Sequence, residues 1–282
     1  MKQTTMQYRE NIQVALRSLA DHKFRSFLTM LGIIFGVASV IAMLSIGEGA
    51  KREAIAKYKD LGVNNIIVRE KDLSDDELEE MRARFSPGLS LADADDILAV
   101  VPDVDKVVAQ AELTMEVKQG DRSVRSTVVG VTPGYTDVLS YSIGEGDFLT
   151  DRQCRERLKV CVLGAGTSFS LFGKESPLGR MVKMGDQWFE VVGVLDSKAV
   201  FTETVGELAA RDLNTDVFIP LTTLLDRFPR ERSLDSEVRQ LTIHVTSSDR
   251  LMETSRLVTR ILDRHHWNNA DYNIVIPYEL LK

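Results

Sequence analysis

"RSFLTMLGIIFGVASVIAMLSIGEGAKRE", residues 25–53, contains a run from Phe27 to Gly47 of 21 residues without Asp, Glu, Lys, Arg or His, in a chain where 27% of residues are charged. The hydrocarbon core of a bilayer takes about 20 helical residues to cross, so this run is long enough. A buried core helix is usually shorter and shows a polar stripe. A secretory signal has an apolar region of about 7–15 residues that ends at a small-x-small cleavage site. This run is longer and leaves through Ser45-Ile46-Gly47-Glu48-Gly49. A retained transmembrane helix over 27–47, surrounded by lipid bilayer, is therefore expected.

The remaining residues have the composition of a soluble protein. Net charge is -7, and residues 1–47 hold Lys2, Arg9, Arg17, Lys23 and Arg25 against Glu10 and Asp21, or +3, so residues 48–282 sum to -7 minus 3, or -10. An acidic body without a basic stripe argues against nucleic acid as a partner. It is long enough to bury one large core or two small ones. Lys51, Arg52, Lys57 and Lys59 follow the span closely, so the positive-inside bias is weak. Cys154 sits in the charged "DRQCRER" and reads as exposed, whereas Cys161 in "KVCVLG" reads as a buried strand residue. Two unpaired cysteines are preferred over a Cys154–Cys161 disulfide, which an oxidising compartment would permit.

Before the span, Tyr8, Ile12, Ala15, Leu16 and Leu19 recur at helical spacing. This is the pattern of an amphipathic interfacial segment over 1–26, or of an N-terminal extension of the span. After it, "EGAKREAIAKYKDLG" continues as helix, with Gly62 as a C-terminal cap. "NNIIVRE" reads as a strand. The acid-rich stretch Asp72 to Glu80 reads as a solvated loop or short exposed helix and lacks a calcium-loop pattern. In "SLADADDILAVVPDV", Ser90 caps a helix with Asp93 three positions on, and Pro102 ends it. Asp93, Asp95 and Asp96 thus read as first-turn acids favoured by the helix dipole.

Strands follow at "KVVAQAEL", "MEVKQ" and "RSTVVGV", with a hairpin turn at Gly120-Asp121. A loop-rich stretch with a short helix covers "GVTPGYTDVLSYSIGEGDFL". Strand signals resume at "LKVCVLG", "MVKMGD" and "WFEVVGVL", with "GTSFSLFG" as an intervening helix. "DVFIPLTTLLDRF" reads as strand then helix. The last unit is strand, helix, strand: "VRQLTIHVT", then "SDRLMETSRLVTRILDRHH" with Leu251, Val258, Ile261 and Leu262 on one face, then "DYNIVIP". Alternating strands and helices of this kind indicate an α/β (α+β) fold.

No catalytic, cofactor-binding or metal-ligating constellation assembles. His22, His244, His265 and His266 lie outside any zinc-type spacing. His244 alternates with Thr242 and Thr246 and reads as facing away from the core; His265 and His266 end a helix, where positive charge is mildly favourable. There is no Gly-x-Ser-x-Gly elbow. "GTSFSLFGKES" departs from a phosphate loop, because six residues rather than four separate its glycines and Glu175 follows Lys174. If ATP powers this protein, another chain supplies the ATPase. The span's own motif is Gly32-x-x-x-Gly36, with Ala38 and Ala42 as a second small pair, which suits helix packing in lipid.

In "ALRSLADHKFRSFLTMLGIIFGVASVIAMLSIGEGA", "DLGVNNIIV", "LADADDILAVVPDVDKV", "VVGVTPGYTDVLSYSIGEGDFL", "VLGAGTSFSLFGKESPLGRMVKMGDQWFEVVGVL", "DVFIPLTTL" and "YNIVIPYELL", the chain resembles the permeases of MacB-type ABC exporters. These blocks occur in order over most of the sequence. The resemblance implies a porter-like extracytoplasmic subdomain over 48–131 and 238–282, and a smaller inserted Sabre-like subdomain over 132–237. It also implies no enzyme activity in this chain, a cytoplasmic ABC ATPase subunit, a permease dimer partner and a periplasmic adaptor protein. Stalk helices would relay ATP-driven motion from a bacterial inner membrane, with the N-terminus in the cytoplasm. Family permeases carry three further spans after the outer domain, so an N-terminal fragment of a longer permease is expected. Two alternatives stay open: a single-pass membrane-anchored binding or sensor domain, and an FtsX-like or LolC-like permease for cell division or lipoprotein release.

Overall fold

A computed structural model describes residues 23–60, 64–71, 73–84, 86, 88–139, 141–197, 213–228, 236–267, 269 and 271–276. The chain divides into two compact units, residues 1–56 and 57–282. Helix α1, Lys23–Asp60, contains the whole expected span. Among the described residues it is the one helix long and apolar enough to cross a membrane. From Phe27 to Ile46 its large apolar side chains are exposed except for the half-buried Leu31, unlike those of a core helix. The Thr29 hydroxyl donates to the carbonyls of Arg25 and Ser26, both at 3.0 Å, which satisfies a polar group within the apolar run. Residues 1–22 of the expected amphipathic segment and the Gly62 cap lie outside the described residues.

The second unit contains ten strands and seven α-helices among its described residues. In order they are β1 (Asn65–Glu70), α2 (Asp75–Ala83), α3 (Leu91–Val100), β2 (Val104–Gln119), β3 (Arg122–Val131), α4 (Tyr135–Leu139), β4 (Ile143–Gly146), α5 (Asp151–Arg155) and β5 (Val160–Leu163). They continue with α6 (Ala165–Phe172), β6 (Met181–Met184), β7 (Gln187–Leu195), β8 (Val217–Pro220), α7 (Leu221–Arg227), β9 (Gln240–Val245), α8 (Leu251–His265) and β10 (Tyr272–Val275). The mixed helix and sheet fold agrees with the α/β (α+β) expectation.

Local chemistry places several of these elements. Ser90 and Asp93 form the expected capping box of α3, and Val101 and Pro102 follow its last turn. The β2–β3 hairpin turns at Gly120-Asp121, and the φ of +56° at Gly120 is one that a side chain would strain. β2 is one continuous strand rather than the two expected, because Thr114 keeps its place in the ladder opposite Thr127.

The strand order is β10-β1-β9-β2-β3-β8-β5-β7-β4. Strands from 48–131 and 238–282 are consecutive in it, as are those from 132–237, and the parallel β3–β8 pairing joins the two groups. β6 pairs with both β7 and the far end of β2. The ladders from β2 through β3, β8, β5, β7 and β6 therefore return to β2 and close a ring. Period-2 alternation on β6 and β7 turns Val182, Met184, Phe189 and Val191 into the core. A second cluster gathers Tyr135, Val138, Phe148, Cys154 and Phe218.

Cys154 corrects the expectation of exposure: it is buried, as is Cys161, and both thiols are free. The charged neighbours Arg152 and Glu156 pair on the outer face of α5 at 2.9 Å, while Cys154 faces inward and its carbonyl accepts from the Thr222 hydroxyl at 2.6 Å. Burial, and then the Asp151 charge, push the Cys154 thiol up to about 11. His244 is half-exposed, with Nδ1 2.5 Å from Asp105 Oδ1, whereas Thr242 two residues earlier is buried.

Candidate functional site

The predicted packing residues lie on α1. At Gly32 and Gly36 an added Cβ would meet nothing within 4 Å, so nothing in the described chain fills that face. At about 100° per residue, the Gly32/Gly36 pair and the Ala38/Ala42 pair centre about 120° apart around the helix. The four residues therefore lie on two faces of α1 instead of one ridge. Replacing both Gly32 and Gly36 with Leu is expected to leave membrane insertion unchanged while weakening helix association, because close backbone approach is lost. Cross-linking yield in extracted membranes reads the effect, and unchanged assembly would indicate a plain tether.

β1 is the first strand after α1, and it is held at both ends. The buried Asn65 amide donates to the Val138 carbonyl at 2.9 Å. At the other end, the Ser236 hydroxyl donates to Glu70, the Glu70 N–H donates to the Arg239 carbonyl at 2.9 Å, and the Lys71 N–H donates to the Asp271 carbonyl at 2.9 Å. β10, the last described strand, is the antiparallel neighbour of β1, with Ile67 opposite Val275 and Glu70 opposite Tyr272. The start of β1 and the end of β10 thus lie side by side on one edge of the sheet.

Beside this edge lies a buried ionic cluster. Helix α8 ends at His265 and His266, and its C-terminal end meets the first turn of α3. His266 is fully buried, with Nδ1 2.7 Å from Asp271 Oδ1 and Nε2 facing Asp93 Oδ2 at 3.5 Å, an ion-pair distance. Asp93 Oδ1 lies 2.7 Å from His265 Nδ1, and its Oδ2 accepts from the Ser90 N–H and hydroxyl at 2.9 and 2.8 Å. His265 Nε2 is 3.3 Å from Asp96 Oδ2. The Ser86 hydroxyl donates to Asp271. The Tyr272 hydroxyl donates to Asp263 at 2.8 Å, and its ring stands edge-on to His266 at 5.4 Å.

The charges in the cluster hold one another ionised. Burial alone would lower the His266 pKa, but hydrogen bonding and charge from Asp271 and Asp93 outweigh it and raise it to about 9. Burial opposes ionisation of Asp93, yet His266, His265 and Ser90 together hold it down to about 2. Asp271 is likewise below its ordinary value despite burial, through His266 and Ser86. The Ser86 hydroxyl donates to the carboxylate, not to the imidazole, so the trio lacks the nucleophile–base contact of acyl-transfer chemistry. With Asp93, His266 and Asp271 nearly closed to solvent, the arrangement ties elements together instead of meeting a substrate. Among the described residues no group of His, Cys, Asp and Glu is placed to hold a metal ion.

The cluster eluded the sequence reading. Asp93 is a first-turn acid as expected, and it also faces two imidazoles across the fold. The signal available was a His-His pair closing an amphipathic helix. In "GTSFSLFGKES" and its approach, Gly164 has a packing role: a Cβ there would lie 2.4 Å from the Asn214 carbonyl oxygen.

Residues 26–261 match the model of the MacB-like periplasmic core domain. The chain belongs to this family. A macrolide export ATP-binding/permease protein MacB of Wolinella succinogenes is 27% identical over 266 residues, covering 94% of this chain and 39% of that protein. An uncharacterized ABC transporter permease of Bacillus subtilis, YknZ, is 28% identical over 271 residues, covering 96% of this chain and 64% of that protein. The chain thus spans about two fifths of the length of the MacB relative and less than two thirds of YknZ. The crystal structure of the periplasmic region of MacB from Actinobacillus actinomycetemcomitans shares the fold, with a TM-score of 0.63 and 19% identity over 81% of this chain and 95% of that region. The MacB-like match includes the apolar run of α1 and ends within α8, so Asp93 lies inside it and His266 and Asp271 lie beyond it.

Proposed function

We propose that this chain is a permease component of an ABC-type exporter, in which motion of membrane helices is relayed to the extracytoplasmic domain and expels substrate on the outer side. The observation that carries the reading is the pairing of β1 with β10. The strand that follows α1 and the last described strand are hydrogen-bonded neighbours, so a displacement delivered to one is shared by the other. In this reading α1 crosses the bacterial inner membrane from a cytoplasmic N-terminus. The strands of 48–131 and 238–282 form the porter-like subdomain, and 132–237 supplies the Sabre-like insertion.

The chain itself performs no catalysis on this reading. ATP hydrolysis belongs to a separate cytoplasmic ABC ATPase subunit, a second permease copy completes the dimer, and a periplasmic adaptor receives the outer face. The family membership and the ABC transporter relatives support an ABC ATPase partner.

Because Cys154 and Cys161 are both buried, a spin label on an introduced surface cysteine reacts selectively. Asp121→Cys, at the exposed tip of the β2–β3 hairpin, places one label on each permease copy of the complete transporter. Pulsed EPR is expected to show the inter-label distance change between nucleotide-free and ATP-trapped states. A distribution unaltered by ATP would contradict the relay.

A further inference from the structure

We propose that Asp93, His266 and Asp271 form a latch that fastens the edge strand β10 to the helix pair α3 and α8, and that opening the latch releases β10 from β1. Its bearing on export rests on the function proposed above. The latch itself stands on the geometry of the fold. β10 has four residues, all half-buried, and among the described residues its one ladder partner is β1. Short edge strands with one partner belong to the least stable parts of a sheet.

Beyond its ladder and the apolar packing of Ile274 and Ile276 on the core, β10 is held through the cluster. Asp271 precedes the strand directly and carries the ion pair to His266, while its carbonyl accepts from Lys71. Tyr272, the first strand residue, ties to α8 through Asp263 and rests against the His266 ring. His266 in turn faces Asp93 at the start of α3, so one imidazolium joins two helices and the strand.

The latch is sensitive to protonation at a single centre. The titratable groups facing His266 are Asp93 on α3, Asp271 before β10 and Tyr272 on β10, with His265 and Asp96 reached through Asp93 and Asp263 through Tyr272. Burial and then the Asp263 carboxylate hold the Tyr272 phenol above its ordinary range, so His266 loses its proton first as pH rises. Loss of that proton leaves two buried carboxylates facing a neutral ring, and the latch opens. It is shut below the ordinary histidine value near 6.5 and released as pH rises through about 9.

Hydrogen exchange of the full chain in lipid nanodiscs tests this, read as the protection of β10 amides relative to those of β9. Between pH 6 and pH 9.5 this ratio is expected to fall roughly ten- to a hundredfold in the wild-type chain, since each unit by which the His266 proton is held above its ordinary value is a factor of ten. In His266→Gln the ratio is expected to start low and stay flat with pH. Tyr272→Phe, which keeps all three latch groups, is expected to retain the pH dependence. If β10 in His266→Gln loses no more protection than β9, or if the wild-type ratio does not vary with pH, the latch is overturned. The measurement involves no ATPase, so it fails independently of the exporter reading, which the spin-label distances judge.

Discussion

Phe218→Ala is expected to destabilise the second unit by about 3–5 kcal/mol. Phe218 is fully buried on β8 and stands opposite Val129 of β3 and Val162 of β5. Three rings surround it: Tyr141 at 5.5 Å, Tyr135 at 5.8 Å and Phe148 at 5.9 Å between centroids. Removing the ring therefore costs transfer free energy, leaves a cavity and breaks tilted and edge contacts at once. The site matters because β8 joins the two groups of strands. Urea unfolding of the wild type and variant, followed by far-UV circular dichroism, measures the difference. A loss below about 1 kcal/mol would mean that the four aromatic residues do not act as one packed unit.

Asp93→Asn is expected to cost about 3 kcal/mol at pH 5.5, because it leaves the buried His266 charge with one carboxylate and deprives His265 of its closest partner. The pH dependence follows from the direction of each shift. Asp93 is held below its ordinary value, so its contribution is present above about 3.8 and is lost as pH falls through about 2. His266 is held above its ordinary value, so its contribution is complete below about 6.5 and is lost as pH rises through about 9. The cluster is therefore strongest between about pH 4 and pH 6.5. Denaturant midpoints of the wild type should decline above that window, and Asp93→Asn should show a shallower decline. Parallel curves would place the stabilising charge elsewhere.

Some of this architecture was legible in particular residues. The membrane-length run needed only its composition, the α3 start needed Ser90 with Asp93 three positions on, and the hairpin needed Gly120-Asp121. The ordered blocks that resembled MacB-type permeases led to the family now shown. Other features were hidden for physical reasons. Cys154 carries charged neighbours, yet α5 turns them outward and the α7 threonine covers the cysteine. Thr242 is polar and buried, because strand burial depends on what packs over each face. Gly164 closed the strand signal "LKVCVLG", and the backbone of Asn214 is what it makes room for.

The candidate site divides along the same line. By itself the sequence determined α1, the capped α3, the amphipathic α8 and the existence of most strands, since each depends on periodicity, caps or turns within one stretch of chain. The tertiary structure alone decided that β1 and β10 pair, that β6 closes the ring onto β2, and that His265 meets Asp93 from 172 residues away. Local patterns set which faces are apolar. Long-range pairings depend on how those faces are covered together, and a buried charge can select its partner only after the chain has brought the two into contact.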